Sequence, residues 1–202
     1  MDRAVVSFGT AARGAGSAVL VDRSCGRCST CRSGAGLWCS APVDHGRVVG
    51  PDLPAAAAER LRTAVLAAAA LLEAPAARTT LVVTEPGSPT AVLADRLVDG
   101  FVLATPCLTD DAVRAQVAGR EPSGRAAVVV AGADVRSAVR AVRRGGHVCV
   151  PPVSPVSPTA GPSRPSVTEL VQREVTLLAP RQVTDVVDRL AAPDWGAAIA
   201  VA

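Results

Sequence analysis

Short apolar runs alternate with stretches whose apolar positions recur at helical spacing from residue 79 to residue 192. TTLVV (79–83), FVLAT (101–105), AAVVVAG (126–132), HVCVPP (147–152) and VTLLA (175–179) predict strands. They are apolar through their length, as strands covered on both faces are. Between them the pattern predicts a helix over 90–98 and a second that ends at Gly119, with Thr109 as N-cap and Asp110 and Asp111 in its first turn. A third runs through DVRSAVRAVRR from an Asp134 cap to Gly145 and Gly146. Two more are expected at 166–173 and 183–192, after a Pro/Ser-rich loop from Pro151 to Pro165. Strands alternating with helices imply a parallel sheet with helices on both sides. Ahead of this region, residues 55–74 carry a strong helix pattern, opened by Pro54 and closed by Pro75. AVVSF (4–8) and AVLVD (18–22) read as strands joined by a turn around Gly14 to Gly16, and 43–54 reads as a loop.

Composition narrows the picture. Apolar residues make up 49% of the 202, mostly Ala and Val, and the aromatics are only Phe8, Trp38, Phe101 and Trp195. A core of such small side chains requires close approach of its layers. The Ala-rich run from Ala64 to Leu72 is short and lies between Arg62 and Glu73, so it predicts a buried helix and no membrane span. All 21 basic residues are Arg, and Lys, Tyr and Asn are absent, a bias expected of a GC-rich bacterial genome. The net charge of +3 is mild and the Arg residues are scattered, without a basic stripe interleaved with aromatics. Nucleic acid is therefore not an expected partner. Met1-Asp2-Arg3 leads into a strand-like run with no apolar signal core, which implies a cytoplasmic protein with reduced thiols.

The strongest chemical signal is CGRCSTCRSGAGLWC, which places Cys25, Cys28, Cys31 and Cys39 at the spacing C-x2-C-x2-C-x7-C. Its Gly and Ser residues predict a segment folded back on itself, neither helical nor extended. Four thiolates on one point make a closed tetrahedral zinc site, whose ordinary role is structural. An iron–sulfur cluster competes, but ferredoxin-type runs place the fourth Cys three residues on and before Pro, whereas Cys39 follows seven residues on and precedes Ser40. A disulfide knot competes too, and the expected reducing compartment disfavours it. Cys107 and Cys149 lie apart in strand-like contexts and read as small core hydrophobes.

With these residues in view, the chain resembles the zinc-containing medium-chain dehydrogenases, the alcohol and polyol dehydrogenase group. AVLVDRSCGRCSTCRSGAGLWC is similar to the strand and structural-zinc lobe of that family, RRGGHVCVPPV to its helix–Gly-Gly–strand step, and REVTLLAP to the strand that pairs across its subunit interface. The resemblance implies a Rossmann-like doubly wound α/β sheet over 55–202, preceded by a remnant GroES-like β segment over 1–54 with a zinc lobe at 24–42. It also implies one structural zinc on the four cysteines and a homodimer through strand 175–179. The body's core is expected not to depend on the lobe, so that loss of a ligand, as in Cys31→Ser, should loosen the lobe alone.

The departures from the family bear on function. Its members open with a segment that supplies a Cys and a His-Glu pair to a catalytic zinc, and this sequence is expected to start after it. The histidines are His45, in a loop, and His147, opening a strand, so no catalytic ligands carry over. The family's G-x-G-x-x-G phosphate turn is replaced by Thr84-Glu85-Pro86-Gly87-Ser88-Pro89, and the second strand ends in Thr105 and Pro106 where an acid should meet the ribose. NAD(P) binding is therefore not expected. The reading is a repurposed dehydrogenase relative with a biosynthetic, scaffold or small-ligand-binding role, paired with itself or with a full-length paralogue. The alternative is a divergent minimal enzyme of a bacterial biosynthetic pathway. It would use the strand-end residues Glu85, Cys107 and Cys149 as catalytic groups, or a residual NAD(P)-dependent oxidoreductase activity.

Overall fold

A computed structural model describes residues 9–13, 16–21, 24–41, 43, 47–48, 53–131, 134–151, 165–190 and 192–202. The predicted strand at 4–8, residues 152–164 of the Pro/Ser-rich loop and His45 lie outside these residues.

The amino-terminal part contains β1 (Gly9–Arg13), β2 (Gly16–Val21) and a short β3 (Arg47–Val48), joined in one antiparallel sheet in that order. β1 pairs with β2 from Gly9 opposite Leu20 to Arg13 opposite Gly16. A strand thus occupies 9–13, which the sequence pattern left without an element, and β3 lies inside the expected loop, paired to Leu20 and Val21. The cysteine segment between them holds the one-turn helix α1 (Ser29–Arg32) and a 3-10 turn at Gly36–Trp38. Helical structure was not expected there. It forms because the Cys28 sulfur accepts the Cys31 amide and takes the N-cap position that Ser or Asp fills elsewhere.

The body is a five-stranded parallel sheet of β4 (Thr79–Val83), β5 (Phe101–Thr105), β6 (Ala126–Val130), β7 (Val142–Cys149) and β8 (Thr176–Leu178), in the order β5-β4-β6-β7-β8. Its helices are α2 (Ala55–Leu72), α3 (Pro89–Leu97), α4 (Asp111–Ala118), α5 (Val135–Ala141), α6 (Val167–Arg173), α7 (Thr184–Arg189) and α8 (Ala192–Ala200). Adjacent strand residues face opposite layers. Val82, Val128, Val130 and Cys149 pack with Ala67, Ala70 and Leu71 of α2 and Ala94 of α3. Leu81, Val129 and Val148 pack with Val113 and Val117 of α4 and Ala138 and Val139 of α5. The sheet is therefore doubly wound, as expected. α2 is its central support, with eleven buried residues, eight of which are Ala or Val. These small side chains let it lie close to the sheet on one side and to α3, α7 and α8 on the other.

Two boundaries and one helix differ from the sequence expectation. Asp110, not Thr109, caps α4, because its carboxylate accepts the Ala112 amide at 2.8 Å. α5 ends at Ala141, and Val142 to Gly146 already belong to β7. The Gly-Gly pair does not stop a helix. It serves a close strand approach, since a Cβ on Gly146 would lie 2.8 Å from the Ala127 carbonyl of β6. The β6–β7 register shifts at the same place, between Ala126 and Val128. Finally, the pattern missed α8, which closes the apolar cluster on α2 and α3 with Ala198 and Trp195.

Candidate metal centre

The four predicted ligands converge. The Sγ atoms of Cys25, Cys28, Cys31 and Cys39 all lie within 4.8 Å of one another. Cys25 to Cys31 is 3.9 Å, Cys28 to Cys31 is 3.4 Å and Cys28 to Cys39 is 3.9 Å. A tetrahedral zinc with Zn–S bonds of about 2.3 Å has sulfur edges of about 3.8 Å, so the cage has the size of the ion. Backbone amides support it. The amides of Cys25, Cys28, Cys31 and Ala41 point at the sulfurs of Cys39, Cys25, Cys28 and Cys39, each at 3.4 Å. Such donors favour the thiolate form that a cation needs. The Cys31 and Ser40 amides hold the Cys28 thiol down to about 5. Burial, with the protons shared by its neighbours, pushes Cys31 up to about 12. Sulfurs this close cannot all ionise beside one another without a divalent cation. The donor set fits zinc, which would hold the lobe closed and leave no position for a substrate.

The lobe is pinned to the body at three points. Trp38 Nε1 donates to the Pro180 carbonyl at 3.0 Å, the Leu37 amide to the Arg181 carbonyl at 3.0 Å, and the Arg181 guanidinium to the Ser33 carbonyl at 2.8 Å. Leu37 is 1% exposed and belongs to the cluster formed by Leu61, Val65, Val183 and Val187. The expectation that the body's core is independent of the lobe therefore fails. The 3-10 turn between Cys31 and Cys39 inserts a core residue between α2 and α7, and spacing arguments do not reveal such an insertion.

Cys149 stands apart from the other two strand-end candidates. Glu85 is exposed in the turn after β4, and Cys107 is exposed after β5. Cys149 is 0% exposed within β7, where burial pushes its thiol up to about 12. β6 lies between β4 and β7, a separation of about 10 Å at two strand spacings. Cys107 differs in kind from Cys149. Its Sγ lies 3.2 Å from the Thr109 hydroxyl, and that hydroxyl and the Thr109 and Asp110 amides lower its pKa. His147 is half-buried in β7 opposite Val128 and Thr176. Among the described residues, the cysteine quartet is the one group of three or more His, Cys, Asp or Glu side chains with metal-holding geometry.

The turn after β4 closes on itself. The Ser88 amide donates to the Glu85 carbonyl at 3.1 Å, and Gly87 has φ +77°. The Ser88 hydroxyl accepts the Ala91 amide at 3.3 Å and lies 2.8 Å from the Thr84 hydroxyl. Pro89, the first residue of α3, offers no amide. Of the donors that a helix amino terminus would turn toward a diphosphate, the Ser88 and Ala91 amides are thus bonded within the turn and Pro89 has none.

This doubly wound sheet, preceded by an antiparallel segment and a four-cysteine lobe, is the fold of zinc-dependent medium-chain alcohol dehydrogenases and related oxidoreductases. The particular structures it matches include that of AibC, at 18% identity and a TM-score of 0.58, over 93% of this chain and 70% of that one. Acetophenone reductase from Geotrichum candidum in complex with NAD is similar at 18% identity and a TM-score of 0.53, over 92% of this chain and 65% of that one. A zinc-binding alcohol dehydrogenase domain protein from Burkholderia ambifaria is similar at 14% identity and a TM-score of 0.54, over 89% and 67% of the two chains. This chain thus spans between 65% and 70% of the length of these structures. No family model matches the sequence, and no curated protein matches it.

Proposed function

We propose that the chain is a zinc-stabilised member of the medium-chain dehydrogenase lineage that no longer binds a nicotinamide dinucleotide, and that acts as a homodimeric scaffold or small-ligand-binding protein. One observation carries this reading: the turn after β4 engages its Ser88 and Ala91 amides internally and holds two prolines. Ser88 caps α3, Pro89 lacks an amide, and Pro86 removes another from the turn. Glu85 adds an exposed carboxylate in the same turn, a like charge to a diphosphate. Zinc on the four cysteines supplies a rigid closed lobe, and through Leu37 and Trp38 that rigidity reaches the body.

Calorimetric titration with NAD(H) and NADP(H) tests the proposal. No saturable heat up to millimolar dinucleotide is expected. Micromolar binding of either would overturn it.

The second reading, a divergent enzyme, is favoured by Cys107, an exposed thiol of lowered pKa at the carboxyl end of a strand. Ligands bind beyond such ends in open α/β sheets. Replacing Cys107 by Ala and following product formation in the host pathway tests it, and unchanged product counts against it.

A further inference from the structure

A groove of about 680 Å³ is lined by α4 and α5 on the face of the sheet opposite α2. Leu81 of β4 and Val113 and Val117 of α4 give it apolar walls. Arg114, Arg125, Arg140 and Arg173 also line it, and none of its wall residues is acidic. This contrasts with the chain as a whole, where 21 Arg nearly balance 18 acidic residues.

Two of the four guanidiniums, those of Arg125 and Arg173, are held by carbonyl oxygens, and the other two, Arg114 and Arg140, by ion pairs. Arg125 donates to the Arg140 carbonyl, and Arg173 donates to the Val139 carbonyl at 3.1 Å. Both contacts use a neutral acceptor at the end of α5, and neither Arg125 nor Arg173 pairs with a carboxylate among the described residues. Glu169 is shared by Arg136 at 3.3 Å and Arg140 at 2.9 Å, one carboxylate for two cations. Arg114 meets only Asp111, at 3.5 Å, whose side chain is 96% exposed. Burial and the like charges of Arg125 and Arg140 lower the pKa of Arg173, against the opposing pull of Glu169. The groove therefore gathers four cations against the carboxylates of Asp111 and Glu169, with Arg173 part-buried beside the apolar wall, and an anion with an apolar body complements both features.

We propose that this groove is a binding site for an amphipathic anion, a carboxylate or phosphate on an apolar body. The anionic head sits among the four guanidiniums, and the apolar part lies against Leu81, Val113 and Val117. The volume falls in the range of small-molecule sites, roughly 300–1,000 Å³. The site is separate from the turn at 84–88, so it stands whether or not dinucleotide binding is lost.

The test is calorimetric titration of the zinc-loaded protein with decanoate, decyl phosphate, decanol and inorganic phosphate. Decanoate or decyl phosphate should bind at least about tenfold more tightly than decanol and inorganic phosphate, and more weakly as salt rises. The two anions against each other show which head group the arginines prefer. Arg114→Gln and Thr109→Glu, both at exposed positions on the groove wall, should each weaken that binding about tenfold. Cys107, in contact with Thr109, should be protected from iodoacetamide by the bound anion. Unfolding midpoints equal to the parent's establish that both variants are folded. The proposal is overturned if neither anion binds up to millimolar concentration, if decanol or inorganic phosphate binds as tightly, or if affinity is unchanged in both variants.

Discussion

Leu37 and the two outlying cysteines show how differently residues of one type behave. Leu37 belongs to the lobe in sequence and to the body in space. Leu37→Ala should therefore destabilise the body and not only the lobe, by about 2–5 kcal/mol. Chemical denaturation of the zinc-loaded variant, followed by circular dichroism of the helices, checks this. A shift below about 1 kcal/mol would mean that the lobe is an appendage. Cys107 and Cys149 are both isolated thiols, yet one is exposed with a lowered pKa and the other is buried with a thiol near 12. Only the thiolate attacks an alkylating agent. Iodoacetamide should modify Cys107 in the folded, zinc-loaded protein, at a rate that reaches its plateau at lower pH than a free cysteine's. Cys149 should react only after denaturation. Peptide mass mapping at several pH values distinguishes the two.

At the scale of elements, the lobe and α3 are each set by a cap. In α3 the Ser88 hydroxyl holds the Ala91 amide and the Thr84 hydroxyl, so one side chain both ends the turn and starts the helix. Ser88→Ala should cost about 1 kcal/mol in stability, read as a lowered melting temperature. In the lobe a zinc held by the four cysteines would play the corresponding part. Removing it with a chelator, or replacing Cys31 by Ser, should release the 3-10 turn and expose Trp38, which now donates to the Pro180 carbonyl. A red shift of tryptophan emission in step with zinc release is the expected signal, and intact metal content in Cys31→Ser would refute the four-thiolate site. The same elements explain what was legible in the sequence. The quartet could be read because one residue type recurs at ligand spacing, and β4 and β6 because buried parallel strands are apolar through their length. α1 could not be read, since its cap is a cysteine sulfur and cap rules are written for oxygen. The true start of β7 was hidden by Arg143, Arg144 and two glycines, which look like a helix end but lie in a strand. The docking of Leu37 depends on a contact with Arg181, far along the chain, that no local pattern carries.

At the scale of the whole molecule, assembly turns on the sheet edge. Among the described residues β8 is the last strand of the five-stranded sheet, paired on one side only, to β7. Its Leu177 is 42% exposed, and Val167 and Val171 of α6, one helical turn apart, are 77% and 69% exposed. An open edge with apolar side chains beside it is a template for another strand. A second copy related by a twofold axis would bring β8 against β8, extend the sheet, and cover the same residues on both chains at once. The other edge strand, β5, is a weaker candidate, because Arg120 lies 3.7 Å over the ring of Phe101 at its start and places a charge there. In the proposed dimer Leu177 is near the axis, so one substitution acts twice. Leu177→Arg places two cations opposite each other and should disrupt pairing while leaving the exposed position's own chain folded. Light scattering at micromolar concentration should give twice the 20.4 kDa chain mass for the parent and the single-chain mass for the variant. A parent of single-chain mass would remove β8 as an interface. The lobe would feel such a dimer directly, because Pro180 and Arg181, which hold Trp38 and Leu37, follow β8 by two and three residues. Zinc removal should then weaken dimerisation as well as the lobe. Comparing the mass of metal-loaded and chelated protein over a dilution series separates this coupling from two independent effects: a dimer dissociation constant unmoved by zinc would show the edge and the lobe to be uncoupled.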